Sequence, residues 1–290
     1  MSSQLNRRDF LKLVSLLPLL QVKRPYFIGK PNRTVSDPSA PNVFILVFDT
    51  LSAFHISLHG YQRETTPNLA RFAERATVYH NHYSGGNFTS PGTASILTGT
   101  YPWSNRAIHL YGTVSDNLED KNIFNLFAPK GYYRIGYTHN LLVRTLLAQF
   151  LESLDALTET RELCLVDLQL SDRVFPKDYG VALSGEMRSL RGGGAENLPP
   201  GSVFMSWLYN LTRHSSNLKL AKELGELFPR GVPSHQNLSF TIEDAVDWMQ
   251  LQASTLPQPY LAYVHLLPPH QPYRTRRDFV DKFDDGWEPS

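Results

Sequence analysis

An acidic side chain and a hydroxyl stand at the ends of two elements where they could do chemistry together. Asp49 closes the apolar run Val43–Phe48, and Thr89 comes before Ser90 and Pro91, a proline suited to the first turn of a helix. At the carboxyl end of a parallel strand, Asp49 could bind a divalent cation, which would lower the pKa of a coordinated hydroxyl. Free N–H groups at a helix start favour negative charge, such as that on a phosphate or sulfate group during transfer. Together these residues predict a metal site and a nucleophile.

A histidine extends this pattern further along the chain. His270 follows the apolar run 260–267 and lies in a turn flanked by three prolines. An acid, a hydroxyl and a histidine at such positions could converge on one edge of a parallel sheet. Each also has an ordinary explanation, since a strand-end Asp often caps a turn and a Thr before a helix is often an N-cap. His265, inside the apolar run, is interpreted as a hydrogen-bonded core residue.

The elements that must position Asp49 and Thr89 follow from the apolar pattern around them. The β-branched run Val43–Phe48 predicts a central strand covered on both faces. The dipeptide Thr66-Pro67 predicts the start of an amphipathic helix, whose apolar stripe comprises Leu69, Phe72, Ala73 and Ala76. A second strand is predicted at 77–82. Gly85 and Gly86 would allow a close approach of the backbone just before Thr89.

Beyond residue 102, helical and strand-like patterns alternate. Helices are predicted at 122–127 and 141–154, a strand at 132–137, a helix capped by Thr241 through residue 253, and a last strand at 260–267. This alternation is typical of βαβ units and predicts an α/β fold with a parallel sheet. The segment 171–233 lacks periodicity and predicts an irregular insertion, with room for one helix.

Composition narrows the class of protein. The chain has 290 residues, 41% of them hydrophobic, which is sufficient for a packed core. Its formal net charge is +1, so there is no electrostatic case for binding nucleic acid. The single cysteine, Cys164, excludes an intramolecular disulfide framework and is interpreted as a small buried hydrophobic residue.

The N-terminus has the pattern of a targeting signal. Arg7 and Arg8 precede an apolar run at 13–20, which is typical of a twin-arginine export signal over residues 1–22. The run is shorter than the roughly 20 residues that span a bilayer, although an uncleaved anchor and a simple amphipathic helix are alternatives. A Pro- and Ser-rich linker is predicted at 23–41 and the folded domain at 42–290. These features predict an exported, periplasmic or extracytoplasmic protein that uses the twin-arginine export machinery.

Four motifs in this order resemble the sulfatase family of the alkaline-phosphatase superfamily. They read PNVFILVFDTL, HGYQRETTPNLARFA, NFTSPGTASILTGTYP and HLLPPHQPY. The resemblance implies an alkaline-phosphatase-like, doubly wound α/β domain with a mostly parallel sheet and helices on both faces. It also implies attack on a sulfate or phosphate ester and a covalent intermediate. By position, Asp49 resembles the first metal-binding acid, Thr89 the nucleophile and metal neighbour, and His270 and His139 substrate-binding residues.

The sequence differs from the sulfatase motif at residues that determine the expected chemistry. Sulfatases form formylglycine from a Cys or Ser in a C/S-x-P-x-R pattern, whereas this chain has Thr89 there and Thr93 in place of the Arg. Because Thr cannot form that aldehyde, the sequence looks closer to superfamily members that use Thr directly, such as phosphodiesterases and transferases of envelope phospho-groups. Their cofactor is a divalent metal ion, with Ca, Mn, Zn and Mg all candidates. Thr50 occupies the place of a second acid, and is interpreted as a turn cap.

The family's remaining metal ligands are expected towards the C-terminus, and no matching segment follows Tyr273. The sequence therefore predicts a chain lacking the C-terminal part of the fold. Three functions stay open at this point. They are a phosphate-ester hydrolase or phosphotransferase, a sulfatase that works without formylglycine, and an inactive fragment or binding module for an anionic ligand. The expected partner is a phosphate- or sulfate-ester substrate, such as an envelope lipid headgroup or a glycan.

Overall fold

The computed structural model describes residues 37, 39–158, 160–167, 203–235 and 238–286. The predicted export signal at 1–22, most of the linker, and the part of the predicted insertion at 171–202 lie outside the described residues. No helix in these ranges is both long and apolar enough to span a bilayer.

Seven strands and eight α-helices follow one another in the described ranges. The strands are β1 (Val43–Phe48), β2 (Tyr133–Thr138), β3 (Ala156–Leu157), β4 (Val166–Asp167), β5 (Ser234–His235), β6 (Leu238–Ser239) and β7 (Tyr260–Leu266). The helices are α1 (Pro67–Ala73), α2 (Thr89–Thr98), α3 (Pro102–Asn105), α4 (Asp116–Glu119), α5 (Ile123–Phe127), α6 (Leu141–Gln149), α7 (Val203–Leu224) and α8 (Ile242–Thr255). Short 3₁₀ turns lie at Ala53–His55, Ser57–His59, Ala128–Lys130, Leu151–Ser153, Thr160–Leu163 and Arg277–Phe279.

The main sheet has four parallel strands in the order β1-β7-β2-β3. Because β7 comes last in the chain but pairs with both β1 and β2, it brings three distant segments side by side. Parallel pairing places the carboxyl ends of these strands at one edge of the sheet. Strands β4, β6 and β5 form a second, antiparallel sheet in the order β4-β6-β5. The predicted α/β class with a mostly parallel sheet is therefore confirmed.

Helices cover the main sheet on both faces. Tyr263 and Leu261 of β7 join a buried cluster with residues of α2, α5 and α6, among them Ala94, Phe124 and Leu146. On the opposite face, Val264 and Leu266 pack against Ala245 of α8. Helix α8 begins as predicted, because the Thr241 hydroxyl accepts a hydrogen bond from the backbone N–H of Asp244.

A buried ion pair fixes the far side of the sheet. The guanidinium of Arg134 in β2 donates to both carboxylate oxygens of Asp155, at 2.9 and 3.0 Å, and the backbone N–H of Arg134 donates to the same group at 2.8 Å. The planar fork of arginine matches a carboxylate in this two-point geometry. The pair joins β2 to the residue just before β3.

Several predicted elements differ from the structure. Strand β1 lies at an edge of the sheet formed by the described strands, and Phe44 and Leu46 are about two-fifths exposed, so the prediction of a central, fully covered strand is wrong there. Residues 77–82 form no strand, because nothing pairs with them in this part of the chain. Helix α1 ends at Ala73, short of Ala76, and buries none of its side chains.

The remaining differences concern element boundaries. The helix predicted at 141–154 ends at Gln149 and is followed by a 3₁₀ turn. The predicted irregular segment contains the 22-residue helix α7. Cys164 is partly buried and packs against a cluster formed by Leu141, Leu238, Phe240 and Leu267, close to the expected role of a small hydrophobic residue.

Candidate active site

The carboxyl-terminal edge of the main sheet collects the polar residues that could form a site. Asp49 follows β1, Asn140 follows β2, and His265 is the penultimate residue of β7. Val47 and His265 are in register, and so are Thr138 and His265, so these side chains share one face of the sheet. The backbone N–H of Asp49 continues the ladder by donating to Leu266 at 3.0 Å. The register therefore carries Asp49 to the same edge as the other two residues.

Asp49 is held by contacts from two neighbouring strands. Its carboxylate is 8% exposed, and its Oδ2 accepts a hydrogen bond of 2.5 Å from the side-chain amide of Asn140. The Nε2 of His265 lies 3.5 Å from the same oxygen, a polar contact longer than a good hydrogen bond. Burial raises the pKa of Asp49, but His265, Asn140 and the nearby His270 lower it more, so that its pKa lies below the usual value. Asp49 is therefore ionised at neutral pH.

Asn140 is itself fixed in place by local structure. Its Oδ1 accepts a hydrogen bond of 2.8 Å from the backbone N–H of Leu142, which makes Asn140 the N-cap of α6. Its backbone N–H donates to the hydroxyl of Thr138 at 2.9 Å. An N-cap side chain normally serves only its own helix. Here the same amide group also uses its N–H to hold the carboxylate of Asp49.

A second polar connection runs from His265 into the core. The Nδ1 of His265 lies 3.0 Å from the hydroxyl of Tyr263, two residues earlier on the same face of β7. The hydroxyl of Thr93, in α2, makes a polar contact with Tyr263. Burial raises the pKa of Tyr263 well above its usual value, and the charge of Asp49 adds to the rise while Thr93 opposes it. The phenol is therefore neutral and available as a hydrogen-bond donor.

Thr89 is the first residue of α2, one helical turn before Thr93. Residues four apart lie on the same face of a helix, so Thr89 and Thr93 face the same side. The N-cap residue, Phe88, provides no side-chain cap, which leaves N–H groups at this helix start free for another acceptor. No hydrogen bond joins Thr89 to Asp49 among the described residues. Contacts link Asp49 through His265 and Tyr263 to Thr93, which lies one turn from Thr89 on the same helix.

The two glycines before α2 lie against its first two turns. A Cβ on Gly86 would come within 2.6 Å of the Cβ of Pro91 and 2.9 Å of the backbone nitrogen of Gly92. A Cβ on Gly85 would come within 2.6 Å of the side chain of Ser95. The predicted close approach of the backbone at these glycines is therefore present in the structure, and it sets the position of the Thr89 end of the helix.

His270 lies in the turn after β7, near this edge. Its Nδ1 lies 2.7 Å from the carbonyl oxygen of Gln271, and its backbone N–H donates to Leu267 at 2.9 Å. His270 is among the groups that lower the pKa of Asp49. Because it is only partly buried, a substrate contact at His270 remains a reasonable prediction.

His139 is buried, whereas its predicted contact with a substrate requires an accessible side chain. Its ring is fully buried, stacks on Phe240 at 4.2 Å and meets Tyr137 edge-on at 5.2 Å. Among the described residues, neither ring nitrogen has a hydrogen-bond partner. Burial, assisted by His265, lowers the pKa of His139 to about 3, so the imidazole is neutral. Its contact with a substrate stays a prediction, since the ring does not reach the surface in this conformation.

The side chains at this edge provide one carboxylate that could bind a divalent cation. Asp49 provides an ionised oxygen ligand that suits a hard cation. Within the described ranges, however, no group of three or more His, Cys, Asp or Glu side chains is arranged to hold a metal ion. These residues therefore do not complete a cation site, and only Asp49 has the character of a ligand.

Three members of the network were missed by the sequence reasoning as site residues. Asn140 carried a signal, because an Asn between a strand and a helix is a good N-cap at a strand's carboxyl end. Tyr263 and His265 also carried one, because their i, i+2 spacing puts two polar tips on one face of a strand. The interpretation of His265 as a hydrogen-bonded core residue is confirmed, yet that residue also faces Asp49. Sequence alone gave no reason to choose these polar residues over others.

The fold and this edge define an α/β protein with polar residues gathered at the carboxyl ends of its parallel strands. Residues 41–145 match the sulfatase family model, which is less than half of the chain. The matched segment includes Asp49, Thr89 and His139, and leaves out His270. This part of the chain is therefore similar to sulfatases, in agreement with the resemblance of its motifs.

Individual relatives match over short segments. Human N-acetylgalactosamine-6-sulfatase is 34% identical over 68 residues, which cover 23% of this chain and 13% of the relative. An ulvan-active sulfatase from Formosa agariphila is 29% identical over 109 residues, 36% of this chain and 18% of the relative. The matched segments thus span less than a fifth of either curated relative.

Two solved structures share part of the architecture. The phosphonate monoester hydrolase of Agrobacterium radiobacter is 16% identical, with a TM-score of 0.44, over 82% of this chain and 43% of that one. The enzyme from Silicibacter pomeroyi is 19% identical, with a TM-score of 0.47, over 86% of this chain and 46% of that one.

Proposed function

We propose that the protein is a hydrolase that acts on phosphate or sulfate esters through a covalent intermediate on Thr89. Transfer of the group to an acceptor alcohol, in place of water, is the variant of this reaction that the sequence also favours. The match of residues 41–145 to sulfatases supports the ester chemistry. Phosphate is the preferred ester because a Thr in place of Cys or Ser rules out the formylglycine route.

The observation that carries this proposal is the polar connection from Asp49 to α2. Asp49 contacts His265, His265 contacts Tyr263, and Tyr263 contacts Thr93, which lies one turn from Thr89. Asp49 is therefore linked by contacts to the helix that carries Thr89, on the face of the sheet that α2 covers. This supports a shared site for the two residues that the sequence singled out.

The proposed reaction has two steps. The Oγ1 of Thr89 bonds to phosphorus and releases its proton to solvent water, while the bond from phosphorus to the leaving oxygen breaks and that oxygen takes a proton from solvent water. Water or an acceptor alcohol then attacks the phosphothreonine, which frees the Thr89 hydroxyl and releases the phosphate or its new ester. The free N–H groups at the start of α2 would stabilise the negative charge on the phosphoryl oxygens.

The proposal assigns one protein ligand to a divalent cation. Asp49 would supply one ligand, and a bound cation would lower the pKa of an attacking hydroxyl and share the charge of the phosphoryl oxygens. Because the described residues do not complete such a site, we assign no other ligand to the chain.

The test compares Thr89→Ala with Thr98→Ala, a control at the other end of the same helix. The full chain is assayed against aryl phosphate, phosphodiester and sulfate esters with added Mn²⁺, Zn²⁺, Ca²⁺ or Mg²⁺. We expect Thr89→Ala to lower kcat at least about 10³-fold and to abolish a phosphate adduct that mass spectrometry assigns to residue 89. Thr98→Ala should keep wild-type kcat to within about threefold.

Other outcomes distinguish the remaining functions. Turnover of sulfate esters alone would replace this proposal with a sulfatase that works without formylglycine. Absence of turnover, together with saturable binding of inorganic phosphate by calorimetry, would replace it with a binding module for anions.

We also propose that the protein is exported by the twin-arginine route, from the pattern at residues 1–22. Residues 1–41 fused to a reporter that is active only outside the cytoplasm should direct its export. Replacing Arg7 and Arg8 with Lys should abolish that export, and reporter activity that survives the double replacement contradicts the proposal.

A further inference from the structure

The hydroxyl of Tyr263 is the only polar atom of a side chain that is otherwise packed in the core. Tyr263 is fully buried, and its ring meets Phe124 edge-on at a centroid distance of 6.4 Å. A buried phenol loses its hydrogen bonds to water, so its hydroxyl needs partners within the protein. Those partners are His265 and Thr93, which come from different elements.

Two distances connect Tyr263 to the acid. The Nδ1 of His265 lies 3.0 Å from the Tyr263 hydroxyl, and the Nε2 of the same ring lies 3.5 Å from the Oδ2 of Asp49. The hydroxyl of Thr93 makes a polar contact with the same phenol. Tyr263 also packs in one buried cluster with Ala94 and Leu97 of α2. The phenol therefore stands between α2 and the Asp49–His265 contact.

We infer that Tyr263 is a positioning residue that couples the helix carrying Thr89 to the Asp49–His265 contact. This inference rests on the proposed function, and it adds a role to a residue that would not touch the ester. Thr93 is 2% exposed and lies one turn below Thr89 on the same helix face. Loss of the Tyr263 hydroxyl would leave the Nδ1 of His265 and the hydroxyl of Thr93 without this shared partner, so the helix start could shift relative to Asp49.

The matched control is Tyr132, a second buried tyrosine with a hydrogen-bonded hydroxyl. Its hydroxyl donates to the carbonyl oxygen of Pro41 at 2.9 Å. Tyr132 precedes β2, at the amino end of the strands, whereas the candidate site lies at their carboxyl ends. Tyr132→Phe and Tyr263→Phe remove the same atom from similarly buried rings. A general loss of stability therefore affects both variants, and a positioning effect affects only the second.

In the kinetic test, Tyr263→Phe should lower kcat for the best ester substrate by about 10- to 100-fold while KM changes less than about threefold. Tyr132→Phe should keep kcat to within about twofold. Thr93→Val should lower kcat as Tyr263→Phe does, and Thr93→Ser, which keeps the hydroxyl, should restore it. Unchanged kcat in Tyr263→Phe, or a change in KM alone, overturns the inference.

Two spectroscopic measurements apply even if no ester is turned over. Nitrogen-15 NMR of histidine side chains, assigned with His265→Gln, should show ring-nitrogen shifts of His265 in Tyr263→Phe that differ from those in the wild type. Hydrogen exchange at amides 92–95 should be faster in Tyr263→Phe than in Tyr132→Phe. If the wild type has no esterase activity but these signals change, the proposed function fails and the coupling stands. If neither signal changes, the coupling is overturned. Should Tyr263→Phe fail to fold, Thr93→Val decides by the same measurements.

Discussion

At the scale of single residues, burial has opposite outcomes for two groups at the sheet edge. Asp49 stays charged because the amide of Asn140 and two histidines stabilise its carboxylate. His139 has no hydrogen-bond partner for its ring in the described part of the chain, and burial therefore keeps it neutral. Both pKa values are lowered, yet one shift preserves a charge and the other prevents one. A partner, more than depth of burial, decides which form is present.

The depressed pKa of His139 makes stability depend on pH. Between its ordinary value of 6.5 and its folded value of about 3, the unfolded chain binds a proton at this residue and the folded chain does not. Stability from this residue is fully present above the unfolded pKa and falls as pH is lowered. The expected loss between pH 7 and pH 5 is about 2 kcal/mol.

Urea denaturation of wild type and His139→Phe at pH 7 and pH 5 checks this. The variant should lose about 2 kcal/mol less than the wild type over that interval. His82→Gln, a change at an exposed histidine, should keep the wild-type dependence. Identical pH dependence in wild type and His139→Phe contradicts the neutral buried imidazole.

At the scale of elements, α2 depends on the loop that precedes it. The helix buries Ser90, Pro91, Gly92, Thr93, Ala94 and Leu97, so most of its first turn faces protein. Gly86 lies so close to this turn that no side chain fits between loop and helix, and Gly85 lies as close to Ser95 in the second turn. The position of Thr89 is thus set by backbone packing as well as by the Tyr263 contact.

Gly86→Ala should therefore displace the start of α2. The new Cβ would meet backbone atoms, which cannot rotate away, and we expect a loss of about 1–3 kcal/mol in the free energy of unfolding. We also expect a fall in esterase kcat. Gly60→Ala is the comparison, since it has open space but a positive φ of 94°. It should cost about 1 kcal/mol and leave kcat unchanged. Equal kcat in the two variants would contradict this account.

At the scale of the whole molecule, the sheet is packed unevenly across β1. Val43, Ile45 and Val47 pack against the main core, whereas Phe44 and Leu46 on the other face are 39% and 41% exposed. The run of apolar residues suggested equal burial of both faces. The strand order determines the difference, because β1 has β7 on one side and no neighbour on the other within the described chain.

Alanine replacements on β1 should reproduce this asymmetry. Ile45→Ala should lower the free energy of unfolding by about 2–4 kcal/mol, since it opens space in the packed core. Leu46→Ala should lower it by no more than about 1 kcal/mol, because much of the side chain already contacts solvent. Chemical denaturation with matched m values measures both changes. Equal losses would show that both faces of β1 are covered in solution.

The sequence predicted the elements of the site well where local signals were strong. Strand β1 was predicted with its observed bounds and α8 with its cap. A helix was predicted after Thr89 with Pro91 at its first position, whereas α2 begins two residues earlier, at Thr89. The failures lie where local pattern and pairing disagree. Residues 77–82 have strand-like composition but no partner strand, and the edge position of β1 leaves one apolar face open.

Local sequence by itself determined that Asp49 ends a strand and that Thr89 begins a helix, because apolar runs, prolines and caps act over a few residues. Only the tertiary structure decided that Asn140, His265 and Tyr263 join them. That choice depends on the pairing of β7 with β1 and β2, both of which lie more than a hundred residues before it in the chain. Such pairing is set by the packing of the whole sheet, and short-range pattern does not contain it.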